Sequence, residues 1–323
     1  MPTVDLIYDV LDYCNIRDLV PVAALNSFHT NVVQKYICQR STIMASQFFT
    51  DTDAFSRMLT DCHAGVSGSA ALHFMLPTKT TDWTPNDLDI YAPSAHYISI
   101  CARMQNMGYV IIGEKEFDQT PYSSSQIEEV VTFSNTSRII QVIFSSTYTA
   151  LTPIFEFHST AVMNFVSPDL VLCAYPDLTF QHLSLINPAP IYLDLFSISV
   201  ADALRKYNDR GFRYIDCATA GTCTTNVRSL TDSKCFWMNL KQTPLINNAP
   251  ANLLAAYNIA DVRWVLGGKI CAMRTRDSFV LPHVQIIQNQ PYDCCLFVLI
   301  SSNHRFSFFL QSSSFNGSFN LPT

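Results

Sequence analysis

The residues of this chain best suited to chemistry are Gly68-Ser69 and, eighteen residues after Ser69, Asp87-Leu88-Asp89. In an extended strand alternate side chains share a face, so Asp87 and Asp89 point one way while Asn86, Leu88 and Ile90 point the other. Two carboxylates converging from one face suit a hard divalent cation, Mg²⁺ or Mn²⁺. Upstream, Gly65-Val66-Ser67-Gly68-Ser69 carries no bulky side chain at its key positions and runs into residues 70–76. That segment reads as a helix whose free amides and dipole favour phosphate. Together these residues predict a site for a nucleoside triphosphate and its metal, with Gly68 and Ser69 on the nucleotide and Asp87 and Asp89 as metal ligands and catalytic carboxylates. The plain structural alternative has Ser69 capping a helix and both aspartates in a solvated turn after Pro85.

Nucleotidyl transfer with two metals ordinarily draws a third carboxylate from a neighbouring strand. Here the strand expected to supply it reads Arg138-Ile139-Ile140-Gln141-Val142-Ile143, with Gln141 at the corresponding place. An amide oxygen brings no charge and takes no proton at neutral pH. Glu128, Glu129, Glu156 and His158 are the nearest substitutes in sequence. A basic element follows at Lys206-Tyr207-x-x-Arg210-Gly211-Phe212. Lys206 and Arg210 are four residues apart and share a helix face, where they either meet triphosphate oxygens or cover a helix C-terminus before Gly211.

The Gly-Ser turn, the intervening helix and the Asp-x-Asp strand together resemble the signature of the nucleotidyltransferase superfamily. Trp83-x-Pro85-Asn86-Asp87-Leu88-Asp89, the block from Phe157 to Phe165 and Arg210-Gly211-Phe212 resemble, more narrowly, a fungal family of nucleotidyltransferase-like proteins, over roughly residues 60–240. This resemblance implies an α+β fold, a mixed β-sheet with flanking helices. It supplies no activity for the family as a whole. The opening residues, from Pro2-x-x-Asp5-Leu6-Ile7 and Val10-Leu11-x-Tyr13 to Ile16-Arg17-Asp18-Leu19 and Leu25-Asn26-Ser27-Phe28, resemble an F-box. That is a small helical module that docks on a Skp-type adaptor. The expected organisation is an F-box-like module in residues 1–42, the nucleotidyltransferase-like domain in residues 43–240 and an extension of unclear fold in residues 241–323.

The elements that must position these groups follow from apolar spacing. Thr3 is placed to cap a first helix with Leu6, Ile7, Val10, Leu11 and Cys14 on one stripe, and two more helical segments follow through Ile37. Residues 45–59 read as a further helix, residues 94–107 as an amphipathic helix closed by Gly108, and residues 109–113, 128–133 and 138–144 as strands, the last two joined by a hairpin turn. The tail from Cys294 is apolar and rich in Ser and Phe.

With 323 residues, 48% of them apolar, the chain can bury a sizeable core. Its formal charge of −6 argues against general nucleic-acid binding. Neither a signal peptide nor a run of about 18 apolar residues is present, which predicts a cytoplasmic or nuclear protein without a membrane partner. The eleven cysteines include no Cys-x-x-Cys pair, and Cys217, Cys223 and Cys235 lack a nearby histidine to complete a zinc site. The leading expectation is a nucleotidyltransferase-like pseudoenzyme, non-catalytic or weakly catalytic, that binds nucleotide or a protein partner and acts as an F-box-type adaptor. The alternatives are an active metal-dependent nucleotidyltransferase using Asp87 and Asp89, and a nucleotide sensor.

Overall fold

Helices open the chain: α1 (Val4–Leu11), α2 (Leu19–Ala23) and α3 (Ser27–Ser46). The computed structural model describes residues 4–116, 126–187, 198–216, 219–220, 227–241, 262–266, 271–272, 296–300 and 306–310. Thr3, Cys217 and Cys223 lie outside them. The apolar stripe expected on α1 divides: Ile7 and Leu11 are buried, whereas Leu6 and Val10 face solvent. The Asn15 side chain accepts the amides of Arg17 and Asp18, which turns the chain toward α2. Asn26 caps α3 by accepting the His29 amide.

The continuous helix expected over residues 45–59 is broken. Phe48 and Phe49 turn into the core, and Asp51 accepts the Ala54 amide at 2.8 Å to start a new helix, α4 (Thr52–Asp61). An N-cap acceptor satisfies a free amide at the cost of interrupting the preceding helix.

The succession β1 (Gly65–Ser67), α5 (Gly68–Met75) and β2 (Asp87–Pro93) then follows as the spacing predicts. After a 3-10 turn at Ser94–His96 comes α6 (Tyr97–Asn106), closed by Gly108 at φ +86°. Next are β3 (Val110–Glu116), β4 (Ile127–Ser134) and β5 (Ile139–Ser145), the last two joined by a turn in which Asn135 accepts the amides of Ser137 and Arg138.

After two 3-10 turns, at Thr152–Glu156 and Thr160–Val162, come β6 (Asn164–Val166), β7 (Leu170–Cys173), α7 (Pro176–Thr179), β8 (Leu183–Ser184), α8 (Ile198–Asp209), β9 (Arg213–Tyr214), β10 (Arg228–Ser229), β11 (Phe236–Asn239), β12 (Val262–Trp264) and β13 (Cys271–Ala272). A last antiparallel hairpin joins β14 (Leu296–Ile300) and β15 (Phe306–Leu310).

The protein is α+β. Its eight-stranded sheet runs in the order β11-β7-β6-β1-β2-β5-β4-β3, mixed because β2 and β5 are parallel while the other pairs are antiparallel. One face, with Leu88, Ile90, Ile140 and Val142, packs against Ile7, Leu11, Val33, Ile37, Met58 and Met104 of the helices. The other, with Tyr91, Ile143, Phe165 and Trp237, packs against Ile154, Phe155, Tyr175 and Trp264. Asp87 and Asp89 belong to this second face.

The first core runs without interruption across residue 42. Arg40, 6% exposed, donates through Nη2 to the carbonyls of Phe74 at 2.5 Å and Leu76 at 2.7 Å, at the C-terminal end of α5. The Ile16 amide donates to the Met75 carbonyl, and the Asp12 carbonyl accepts the Lys79 amide, so the polar loop at residues 78–82 is tied to the end of α1. The second core reaches Leu266, with Trp264 Nε1 donating to the Tyr175 hydroxyl at 2.9 Å. Cys235 is buried in that core, where its sulfur accepts from Arg228 Nη2. No helix among the described residues is long and apolar enough to cross a membrane.

Candidate nucleotide and metal site

Gly68 stands where β1 ends and α5 begins, at φ +63°. A Cβ built there would lie far inside van der Waals contact of Asp89 Oδ2, so glycine is required both by backbone conformation and by the approach of the carboxylate. The next residue, Ser69, donates its hydroxyl to Asp87 Oδ1 at 3.3 Å. The two motifs eighteen residues apart are therefore brought together: Gly68 makes room for Asp89 and the Ser69 hydroxyl donates to Asp87.

Both aspartates are half-buried. Removal from water, then the neighbouring charge of Asp87, raise Asp89 from 3.8 to about 7, and Lys206 pulls partly the other way. Two like charges crowded on one strand, one of them reluctant to ionise, are what a bound cation would relieve.

Across the parallel pair, Asp87 is in register with Ile139 and Asp89 with Gln141, which is in turn in register with Thr132 on β4. On the other side Ser67 is in register with Asp89, but its hydroxyl donates to the Asn164 carbonyl. At the height of Asp89 the sheet therefore presents hydroxyl, carboxylate, amide and hydroxyl. No group of three or more His, Cys, Asp or Glu side chains suited to a metal occurs among the described residues. Two carboxylates fit one hard cation whose other ligands come from phosphate and water.

Of the substitute carboxylates, Glu156 stays on the side of Tyr91, on which both it and Asp89 act, while Glu128 and Glu129 sit elsewhere. Glu156 accepts the Gln126 amide through Oε1 at 2.6 Å. Glu129 acts on Tyr97 and Cys101, on the opposite side of the sheet, and Glu128 is exposed. His158 is the remaining candidate. Its ring lies 5.4 Å from that of Tyr207, its Nδ1 is buried without a hydrogen-bond partner, and burial followed by the charge of Lys206 holds it down to about 4.

The basic element is brought in by α8. Tyr207 and Phe212 pack with Leu72 and Leu76 of α5 and with Ala161 and Val162, joining α8 to the helix that begins at Gly68. Gly211 at φ +86° allows the chain to turn so that Phe212 reaches this cluster. Lys206 then acts electrostatically on Asp89, and Arg210 interacts with Asp87. The Arg210 guanidinium centre lies 4.0 Å from the Trp83 ring centroid and 5.2 Å from that of Tyr207, and its Nη1 is buried with no hydrogen-bond partner.

All six residues predicted for the site, Gly68, Ser69, Asp87, Asp89, Lys206 and Arg210, thus converge. Trp83 and His73, with rings 5.1 Å apart, are additions. His73 is depressed first by burial and then by the charges of Arg40 and Arg210. Trp83 stood in the sequence within the Trp-x-Pro-Asn-Asp pattern, but nothing in spacing alone points it at a cation 127 residues further on. In comparisons with known proteins, no family model matches the chain and no curated protein matches it.

Proposed function

We propose that this protein is nucleotidyltransferase-like and binds a nucleoside triphosphate together with Mg²⁺ or Mn²⁺, with transfer chemistry absent or weak. The observation that carries the reading is the register of Gln141 beside Asp89: the neighbouring strand offers an amide where a third charged ligand and proton acceptor would stand. Asp87 and Asp89 hold the cation. The backbone at Gly68 and Ser69, at the start of α5, receives phosphate oxygens, and Lys206 and Arg210 close over them from α8. The metal would neutralise the two carboxylates and orient the phosphates. The chain's own residues set which oxygens it meets. Incubation with all four labelled nucleoside triphosphates and either metal tests the reading. It expects binding without a transferred product, and a product dependent on Asp87 and Asp89 would replace it with an active enzyme.

A second role, as an F-box-type adaptor in the cytoplasm or nucleus, is favoured by one specific feature. Leu6 and Val10 of α1 and Tyr13 just after it are 53%, 58% and 63% exposed, while Ile7 and Leu11 of α1 are buried. An apolar surface left over after the core has been satisfied is what docking on a Skp-type adaptor needs. Capture of a purified Skp-type adaptor at micromolar concentration, lost in Leu6→Asp with Val10→Asp, tests it. The fungal family resemblance and a nucleotide-sensing role fit the same site geometry.

A further inference from the structure

We infer that the site operates with a single divalent cation, the Arg210 guanidinium standing in for a second, so that the ligand class it selects is a polyphosphate carrying one bound metal. This rests on the triphosphate-binding reading above.

Two cations side by side need enough negative charge from the protein to offset their mutual repulsion. Here that charge is two carboxylates. The strand positions beside them hold Ile139 and Gln141, and the next strand holds Thr132. A permanent positive charge is already installed opposite. Arg210 is held against Trp83 at 4.0 Å and Tyr207 at 5.2 Å, and Tyr207 is itself packed into the cluster with Leu72 and Leu76. Such a guanidinium is pre-organised and cannot deprotonate.

Its buried Nη1 has no partner within the protein. A buried donor without an acceptor is costly unless a ligand supplies one. A phosphate oxygen does so with a short charge-assisted bond, and a metal cation cannot. Lys206 adds a second positive charge, which acts on Asp89. A second Mg²⁺ would therefore enter against the charges of Arg210 and Lys206 and without a third carboxylate at the neighbouring strand positions. The phosphate oxygens it would have neutralised are met by Arg210.

Counting bound Mn²⁺ by electron paramagnetic resonance, with a non-hydrolysable nucleoside triphosphate at saturation, tests this directly. The expected count is one Mn²⁺ per chain. Arg210→Gln, with folding checked by circular dichroism, is expected to weaken triphosphate binding about tenfold or more while the count stays at one. Arg210→Lys is expected to recover only part of the loss, because it keeps charge but not the planar stack. Gln141→Asp is expected to bring in a second Mn²⁺. Two Mn²⁺ ions in the natural chain, or unchanged triphosphate affinity in Arg210→Gln, would overturn the inference while leaving triphosphate binding intact. Absence of triphosphate binding at any Mn²⁺ concentration would instead overturn the reading on which it rests.

Discussion

Gln141 sits directly across the parallel strand pair from Asp89, facing the same side of the sheet. Its amide can accept a hydrogen bond or ligate weakly, but it adds no charge beside the two aspartates. Replacing it with Asp or Glu should tighten divalent-metal binding several-fold, measured by calorimetry in the presence of a triphosphate, and should cause transfer activity to appear or rise. If the natural chain is already active through another carboxylate, the same change should crowd that ligand and lower turnover.

Gly68→Ala tests the closeness of turn and carboxylate. At φ +63° a side chain is strained, and the new Cβ would collide with Asp89 Oδ2. We expect a loss of ~1–3 kcal/mol of stability by denaturant titration, together with loss of triphosphate binding. Gly108→Ala is a useful control. It also has positive φ, but no atom lies within 4 Å of the position its Cβ would take. It should lose stability through strain and keep binding.

Asp89 should make stability depend on pH. Burial and the charge of Asp87 raise it from 3.8 to about 7, so between these values the folded chain holds a proton that the unfolded chain has released. Its contribution is therefore fully present below about pH 4 and is lost as pH rises to about 7. Asp89→Asn removes that dependence. In thermal melts without metal the variant should be more stable than the natural chain at pH 8, and the difference should shrink as pH falls toward 5.

The N-terminal segment can be tested without dismantling the fold. Because Arg40 holds the end of α5 and Ile7, Leu11, Ile16 and Leu19 are part of the main core, deletion of residues 1–42 should unfold the protein. Leu6→Asp with Val10→Asp should leave the melting temperature within about 2 °C and abolish capture of a Skp-type adaptor. Retained capture would remove the adaptor reading.

Much of this was legible in the chain because the deciding signals are local. Alternation placed Asp87 and Asp89 on one face, and the four-residue spacing placed Lys206 and Arg210 on one helix. The three strands after Gly108 showed their β-branched runs and their turn. Other features depend on tertiary context. The break between α3 and α4 is set by Phe48 and Phe49 finding the core, which a helical apolar pattern does not distinguish from a continuous helix. The division of the α1 stripe into a buried and an exposed half depends on which side α3 packs against it. The stacking of Arg210 on Trp83 joins residues far apart in sequence, and its only local sign was the glycine after Arg210 that lets Phe212 anchor α8.

Triphosphate and metal are expected to bind as one unit, held by Asp87 and Asp89. Calorimetric titration of a nucleoside triphosphate into the natural chain and into Asp89→Asn, each with and without Mg²⁺, tests it most directly. We expect tight binding only in the natural chain with Mg²⁺, and weak, metal-independent binding in the variant, with its fold unchanged. Equal affinity with and without Mg²⁺ in the natural chain would contradict it.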